Sequence, residues 1–257
     1  MPAVQYERRD AIAFITLNRP ERRNALNDAM MRELRSTLFD FDDDDEADVA
    51  VLHGSGRAFC SGADVRDVQL RPAEEIRRFG GVQPRDAQIR DLMFRFTHWK
   101  PVVAAVHGYA LGGGLHIALL CDLLVAEESA QLQVAETARG ADGSVFWSLL
   151  RERSNEGFAT DAVLTSRRWS GAEGAAAGVV SRLAPDGQLL AVAEQLARDI
   201  GANPRLAVRA AVKTRRAALE AIEVAANAAR QGSLHLSADY SERAREFAAG
   251  PPRPAAD

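Results

Sequence analysis

The chain has 257 residues, of which 47% are hydrophobic, and its formal net charge is −4. This length suits one large domain or a core domain with a helical appendage, and the negative charge argues against a general nucleic-acid-binding protein. Its two cysteines, Cys60 and Cys121, are too few for a disulfide framework. The first residues do not resemble a signal peptide, so a reducing cytoplasm is the expected compartment. No apolar run reaches the ~18 residues that a membrane span needs.

The N-terminal part of the chain is predicted to contain two strands with a helix between them. The apolar runs Ile12–Leu17 and Val49–Gly54 predict buried strands. Between them, Asn27 is a suitable N-cap for a helix that continues to about Phe41. The acidic run over residues 40–46 then predicts a solvated connection to the second strand.

The middle of the chain combines a predicted loop with alternating helices and strands. Residues 71–85 contain two prolines and two glycines, which predict a mobile surface loop. Apolar residues at helical spacing predict a helix over residues 86–98. The next predicted elements are a strand, a helix and two short strands, over Val102–Val106, Gly113–Leu120, residues 123–126 and residues 131–134.

From residue 145 onward the pattern is mostly helical. Ser170 and Glu173 have the spacing of a capping box at the start of a short helix, and residues 179–183 predict the last strand. Three stretches rich in alanine and arginine predict helices over residues 185–200, 204–219 and 222–236. The proline-rich residues 250–257 predict a frayed end. This order indicates an α/β core followed by a helical region, which could pack on that core or on another subunit.

Two glycine-rich stretches carry the clearest functional signal, residues 56–64 (GRAFCSGAD) and 108–115 (GYALGGGL). Each follows a strand-like run and leads towards a helix, so backbone N–H groups can point into a cleft and bind anionic oxygen. If the two turns face each other, one N–H from each would form an oxyanion hole. The alternative is that each is only a tight turn. The first lacks the spacing of a dinucleotide-binding fingerprint, and the second lacks the Lys-Ser/Thr of a P-loop.

Four motifs occur in series along the chain: NRPERRNAL at residues 18–26, RAFCSGAD at 57–64, PVVAAVHGYALGGG at 101–114, and Cys121-Asp122. Their order and spacing resemble the enoyl-CoA hydratase/isomerase (crotonase) family. The resemblance implies an α/β fold in which residues 1–185 form a ββα spiral core that binds acyl-CoA. It also implies that residues 186–257 form a helical region that drives trimer formation, with dimers of trimers as the usual hexamer.

The same resemblance implies an acyl-CoA thioester as substrate, with coenzyme A bound only as part of it and neither a metal nor a permanent cofactor. The backbone N–H groups of Ala63 and Gly113 would stabilise a thioester enolate. Arg22 and Arg23 would meet the CoA phosphates, unless they are ordinary solvated charges. The predicted substrate-binding residues are Arg22, Arg23, Ala25, Ala63, Asp64, Val65, Arg66, Gly112, Gly113, Asp142, Ser144 and Trp147.

The acid–base residues decide which reaction follows. Hydratases of the family use two glutamates, and the resemblance aligns Glu136 with one of them and His116 with the other. A carboxyl buried in an apolar cleft has a raised pKa, so Glu136 is predicted to be a general acid or base. His116 has three open interpretations: it orients water, lines the acyl pocket or is a core histidine. Asp142 is a second candidate proton carrier.

Three functions therefore stay open at the level of sequence. The first is an enoyl-CoA hydratase or isomerase, in which water addition needs His116 as well as Glu136, whereas double-bond migration can proceed with Glu136 alone. The second is a hydrolase of acyl-CoA or of a β-diketone, in which His116 activates water. The third is a non-catalytic protein that binds acyl-CoA.

Overall fold

The computed structural model describes residues 2–89, 92–229 and 232–249. Within them lie the strands β1 (Val4–Arg9), β2 (Ile12–Leu17), β3 (Val49–Gly54), β4 (Val102–Val106), β5 (Tyr109–Leu111), β6 (Leu123–Glu127), β7 (Gln131–Gln133), β8 (Arg168–Ser170) and β9 (Arg182–Ala184). The larger sheet has the order β1-β2-β3-β4-β6-β9, with β1 and β2 antiparallel and the other pairs parallel. The smaller sheet has the order β5-β7-β8.

Helices follow or separate these strands along the chain. Their bounds are α1 (Asp28–Asp43), α2 (Ala73–Phe79), α3 (Gly113–Leu120), α4 (Ser144–Arg151), α5 (Glu156–Thr165), α6 (Gly171–Ala177), α7 (Leu189–Gly201), α8 (Arg205–Ala229) and α9 (Ala238–Ala249). A single turn of π-helix spans Val65–Gln69. None of the helices that the structure describes has the length and apolar character needed to cross a membrane.

The larger sheet is covered by helices on both faces, which explains the continuous apolar runs in its central strands. All residues of β4 are buried. On one face, Phe14 and Val51 lie in the same cluster as Leu196 of α7. On the opposite face, Ile15 and its neighbours pack in the main core with the buried side of α1. The predicted strands at β2, β3 and β4 and the predicted helix at α3 are confirmed.

Local capping explains where several helices begin. The side chain of Asn27 accepts a hydrogen bond from the backbone N–H of Met30 at 3.0 Å, so the predicted N-cap of α1 is confirmed. The capping box at Ser170 and Glu173 is also confirmed at the start of α6, because each side chain bonds the other residue's backbone N–H.

The acidic run over residues 40–46 is not simply a solvated connection, because α1 continues through the first part of it. Asp42 is buried and accepts hydrogen bonds from the backbone N–H groups of Thr97 and His98. Its carboxylate therefore ties the end of α1 to the chain segment that leads into β4. The ligand atoms of Asp42, Asp43 and His98 lie within 4.8 Å of one another.

Other predicted boundaries differ from the structure. Residues 71–85, predicted as a loop, include α2, whose C-terminal end is capped by Gly80 with a φ of 70°. The predicted helix over 86–98 is instead a 3-10 turn at Arg85–Ala87 followed by turns over 92–95, and residues 90 and 91 lie outside the described residues. The last strand is displaced from residues 179–183 to β9.

The C-terminal region contains one long helix where two were predicted. Helix α8 runs without a break through the predicted gap near residue 220, and residues 232–236 form a 3-10 helix before α9 begins. Alanine-rich sequence has high helix propensity, which favours continuation through that gap. The predicted frayed end at residues 250–257 lies outside the described residues.

A buried ion pair fixes α8 on the core. Asp122 accepts a hydrogen bond from Val102 N at 2.8 Å, and its carboxylate contacts the fully buried guanidinium of Arg216 at 2.5 Å. Arg215 adds a second contact to the same carboxylate at 3.0 Å. The Asp122 carboxylate thus joins the start of β4 to the middle of α8.

Replacing Asp122 by Asn is expected to lower the free energy of unfolding by about 3–5 kcal/mol, since it leaves the buried Arg216 without its counter-charge. Urea unfolding monitored by circular dichroism measures the change. Asp45→Asn is the matched control, because Asp45 is exposed. Equal unfolding midpoints for the two variants would show that the ion pair does not stabilise the fold.

Candidate active site

The two glycine-rich stretches lie side by side and are hydrogen bonded to each other. Cys60 N donates to Tyr109 O at 2.9 Å, and Leu111 N donates to Cys60 O at 3.0 Å. The approach is close enough to require glycine at position 114, where an added Cβ would lie 2.4 Å from Cys60 O. The hydrogen-bonded pairing brings the turn after β3 against the start of α3, so the two turns face each other.

Because of this pairing, the backbone amides of Ala63 and Gly113 lie close together. A Cβ added to Gly113 would lie 3.7 Å from Ala63 N. Within the described part of the chain, neither of these N–H groups donates a hydrogen bond. Gly113 is the first residue of α3, where an N–H has no acceptor inside the helix and the helix dipole favours negative charge. The two amides are therefore available to bind an oxygen that carries negative charge.

The loop at residues 19–26 holds the first amide in position. Leu26 N donates to Gly62 O and Asp64 N donates to Leu26 O, both at 2.8 Å, so this loop pairs with the backbone on either side of Ala63. The loop itself is anchored by Asn24, a fully buried residue whose side-chain amide donates to two carbonyls of the turn after β3. Ala63 therefore lies on a backbone that is hydrogen bonded on both sides.

A cavity of about 140 Å³ opens beside these two amides. Ala63, Gly113 and His116 line it from the glycine-rich turns, and Glu136 lines it from the segment after β7. The C-terminal part of the chain covers another side, with Glu223 and Asn227 from α8 and Tyr240 from α9 among the lining residues. The core and the C-terminal helices therefore contribute to one cavity.

Glu136 stands at the turn that follows β7, where its carboxyl lies against Gly112 of the second glycine-rich stretch. A Cβ at Gly112 would lie 2.8 Å from Glu136 Oε1, and Gly112 has a φ of 47°, so glycine is needed there on both grounds. Glu136 Oε2 is shielded from solvent and has no hydrogen-bond partner among the described residues. Burial raises the pKa of Glu136 to about 7, against smaller opposing effects of His116 and Arg139.

His116 lies one turn into α3 and contacts a residue that is far away in the sequence. Its Nε2 lies 2.5 Å from Oε1 of Glu223, and its ring packs at 5.4 Å from the ring of Phe146. Glu223 is buried, and its other oxygen accepts a hydrogen bond from Asn227 Nδ2 at 3.2 Å. His116 therefore lines the cavity, and its ring contacts an ionisable side chain and not a backbone group. This contact argues against the interpretation of His116 as a core histidine bonded to backbone.

Sequence reasoning missed Glu223, although a signal was available. The buried positions of α8 recur at helical spacing, and Glu223 falls within this stripe. The stripe consists of Val212, Arg216, Leu219, Glu223 and Ala226. A glutamate in a buried stripe needs a partner, which makes it a candidate functional residue.

Three further predicted residues lie around helix α4. Asp142 lines the cavity, and its Oδ1 accepts a hydrogen bond from Ser144 N at 2.8 Å. Ser144 and Trp147 do not line this cavity. Trp147 packs against the main core, and its indole N–H donates to Thr160 Oγ1 at 3.0 Å. Of these three, only Asp142 borders the cavity itself.

The residues predicted to contact the CoA moiety do not line the cavity. They lie in the loop at residues 19–26 and in the segment that follows Ala63. Arg22 and Arg23 are exposed, and Arg23 O accepts a hydrogen bond from Ser61 N at 3.0 Å. Asp64 is buried, pairs with Arg19 at 3.3 Å and caps the π-helix that contains Val65 and Arg66. Arg19 also donates to the carbonyl of Ala25. Asp64 and Ala25 thus have structural contacts of their own.

Comparison with known proteins identifies the family of this chain. The model of the enoyl-CoA hydratase/isomerase family matches residues 7–247. A probable enoyl-CoA hydratase of Rhizobium meliloti is 36% identical over 200 residues, which cover 74% of each protein. The crystal structure of an enoyl-CoA hydratase/isomerase from Mycobacterium paratuberculosis matches with a TM-score of 0.81 at 26% identity, over 95% of this chain and 98% of that one.

A carnitinyl-CoA dehydratase from Mycobacterium avium has a TM-score of 0.76 at 30% identity, over 96% of this chain and 97% of that one. The α/β fold described above, with its C-terminal helices, is therefore the crotonase fold. The chain belongs to the enoyl-CoA hydratase/isomerase family and is an enzyme of that family.

Proposed function

We propose that this enzyme acts on an unsaturated acyl-CoA and stabilises a thioester enolate with the N–H groups of Ala63 and Gly113, while Glu136 transfers a proton at the α-carbon. One observation carries the proposal: two amides without acceptors among the described residues line the same cavity as a carboxyl whose pKa is raised to about 7. Preorganised donors of this kind stabilise charge that develops on a carbonyl oxygen, and a pKa near neutrality suits proton transfer.

Coenzyme A enters this proposal only as part of the substrate. The exposed Arg22 and Arg23 would meet its phosphates, since guanidinium groups bind phosphate well. Asp64, Val65 and Arg66 would border the path of the pantetheine arm towards the Ala63 amide. Ala25 and Gly112 would complete the surroundings of the bound thioester, whereas Ser144 and Trp147, which do not line the cavity, would not contact it.

The proposal includes a homo-oligomer, either a trimer or a dimer of trimers, assembled through residues 186–257. Two large apolar side chains of α8 support it, because Leu206 is 80% exposed and Val224 is 63% exposed in the single chain. Exposed apolar residues of this size are common at subunit contacts.

A second candidate function is hydrolysis of an acyl-CoA or of a β-diketone. The contact between His116 and Glu223 favours it, because a histidine paired with a buried carboxylate is a common means of activating water. The same oxyanion hole would then stabilise a tetrahedral intermediate.

A panel of saturated, α,β-unsaturated and β,γ-unsaturated acyl-CoA esters tests these alternatives through the products. We expect unsaturated esters to be converted while the thioester stays intact, as followed by mass spectrometry. Release of free thiol from saturated esters would support hydrolysis instead. Tight binding of the esters without any conversion would contradict both enzymatic functions.

A further inference from the structure

His116 and Glu223 form a buried contact between two elements that are distant in the sequence. His116 belongs to α3 and Glu223 to α8, and the Nε2–Oε1 distance between them is 2.5 Å. Both line the cavity that contains Ala63 and Gly113. The pair therefore stands beside the proposed oxyanion hole and not in a separate part of the core.

We infer that Glu223 is a positioning residue that makes His116 the water-activating base, so that the enzyme hydrates an enoyl-CoA. This inference rests on the proposed function, and it deepens that function by selecting water addition over double-bond migration. Hydration needs a second acid–base group besides Glu136, whereas migration does not. Position 116 holds a histidine and not a glutamate, and the carboxylate beside it comes from Glu223 of α8.

The hydrogen bonds around Glu223 determine how it can act. With Glu223 ionised, its Oε1 accepts a hydrogen bond from the Nε2–H group of His116, which leaves Nδ1 as the ring nitrogen with a lone pair that can take a proton. His116 Nδ1 makes no hydrogen bond with the part of the chain that the structure describes. Asn227 holds the carboxylate through Oε2 at 3.2 Å, and Phe146 packs against the imidazole. One tautomer and one ring orientation are thereby selected.

The proton balance of the hydration step follows from these roles. His116 Nδ1 takes a proton from water as the water oxygen bonds to the β-carbon, and the electrons of the C=C bond move to the thioester oxygen. Glu136 in its protonated form then gives a proton to the α-carbon as the thioester carbonyl re-forms. The imidazolium, stabilised by Glu223, returns its proton to Glu136, so water is the only molecule added.

Glu223→Gln tests the inference, because it keeps the shape of the side chain and removes its charge. We expect the kcat of hydration to fall about 10²–10⁴-fold with little change in KM. Exchange of the α-proton of a saturated acyl-CoA in D₂O needs only Glu136 and the oxyanion hole, so it should stay within about twofold of the wild-type rate. Glu223→Asp should recover part of the hydration rate. Glu220→Gln is the control, because Glu220 is exposed on the same helix.

The outcomes separate the two levels of the proposal. If the wild type neither hydrates enoyl-CoA nor exchanges α-protons, the proposed function itself fails. If the wild type hydrates and Glu223→Gln matches Glu220→Gln in rate and pH profile, the inference about Glu223 is wrong. Equal losses of hydration and exchange would mean that Glu223 only maintains the structure.

A measurement on the unmodified enzyme keeps the inference testable if Glu223→Gln does not fold. Nitrogen-15 NMR reports which imidazole nitrogen carries the proton, and the His116 signal is assigned by its absence in His116→Asn. We expect His116 to be protonated at Nε2 and unprotonated at Nδ1 in its neutral form. The opposite tautomer would overturn the inference.

Discussion

Replacing Glu136 by Gln is expected to lower kcat for an enoyl-CoA substrate by about 10²–10⁴-fold while leaving thioester binding nearly unchanged. The amide fills the same space beside Gly112 but cannot transfer a proton at the α-carbon. Exchange of α-protons in D₂O should fall by a similar factor. Initial rates give kcat, and calorimetry with a saturated acyl-CoA gives the binding constant.

The pH profile adds a second test of the role of Glu136. Its pKa is raised to about 7 by burial, so the protonated form that donates to the α-carbon is lost as the pH rises through this value. Hydration should therefore decline above about pH 7, whereas abstraction of an α-proton needs the ionised form and should decline below it. For the substitution of Glu136, the matched control is Glu152→Gln, because Glu152 is exposed. If Glu136→Gln kept full activity, Glu136 would have no part in the mechanism.

Replacing Gly113 by Ala is the second substitution expected to have a large effect, with a loss of about 10²–10³-fold in kcat. The added methyl group would lie 3.7 Å from Ala63 N, in the space where the thioester oxygen would bind. Its closest contacts are the flexible ends of Ile89 and Leu26, at 3.1 and 3.2 Å, so we expect the fold to tolerate it. Steady-state kinetics with thermal unfolding of the same samples separates the two effects.

Gly201→Ala is the matched control for this variant. Gly201 is the last residue of α7, and a Cβ added there would meet no neighbouring group within 4 Å. It should keep wild-type activity and stability. If Gly113→Ala folds normally and turns over at the wild-type rate, the oxyanion site does not lie between Ala63 and Gly113.

Local patterns in the sequence predict much of the fold. The apolar runs at β2, β3 and β4 and the N-cap at Asn27 depend on neighbouring residues, and the structure has them as predicted. The short strands β5 and β8 were missed, because three-residue strands have no clear periodicity and are defined by pairing with β7. Their pairing depends on long-range contacts that a local pattern does not contain.

Only part of the candidate site can be predicted from local sequence, because the rest depends on long-range contacts. The turns that contain Ala63 and Gly113 are visible as glycine-rich sequence, and the backbone hydrogen bonds between them agree with the expected facing arrangement. The partner of His116 is not visible in this way, since 107 positions separate His116 from Glu223. Their contact depends on the path of α8 across the core, which the Asp122–Arg216 ion pair helps to set.

The most direct test of enolate chemistry at this site is the reaction of the wild-type enzyme with crotonyl-CoA in D₂O. We predict that the absorbance of the conjugated thioester disappears and that mass spectrometry finds a hydroxyacyl-CoA with one deuterium bound at the α-carbon. The thioester should remain intact, and Glu136→Gln should produce little of this product. Two results would contradict the account. One is that crotonyl-CoA binds to the enzyme but is not converted, and the other is that free CoA is released and the acyl product carries no deuterium at its α-carbon.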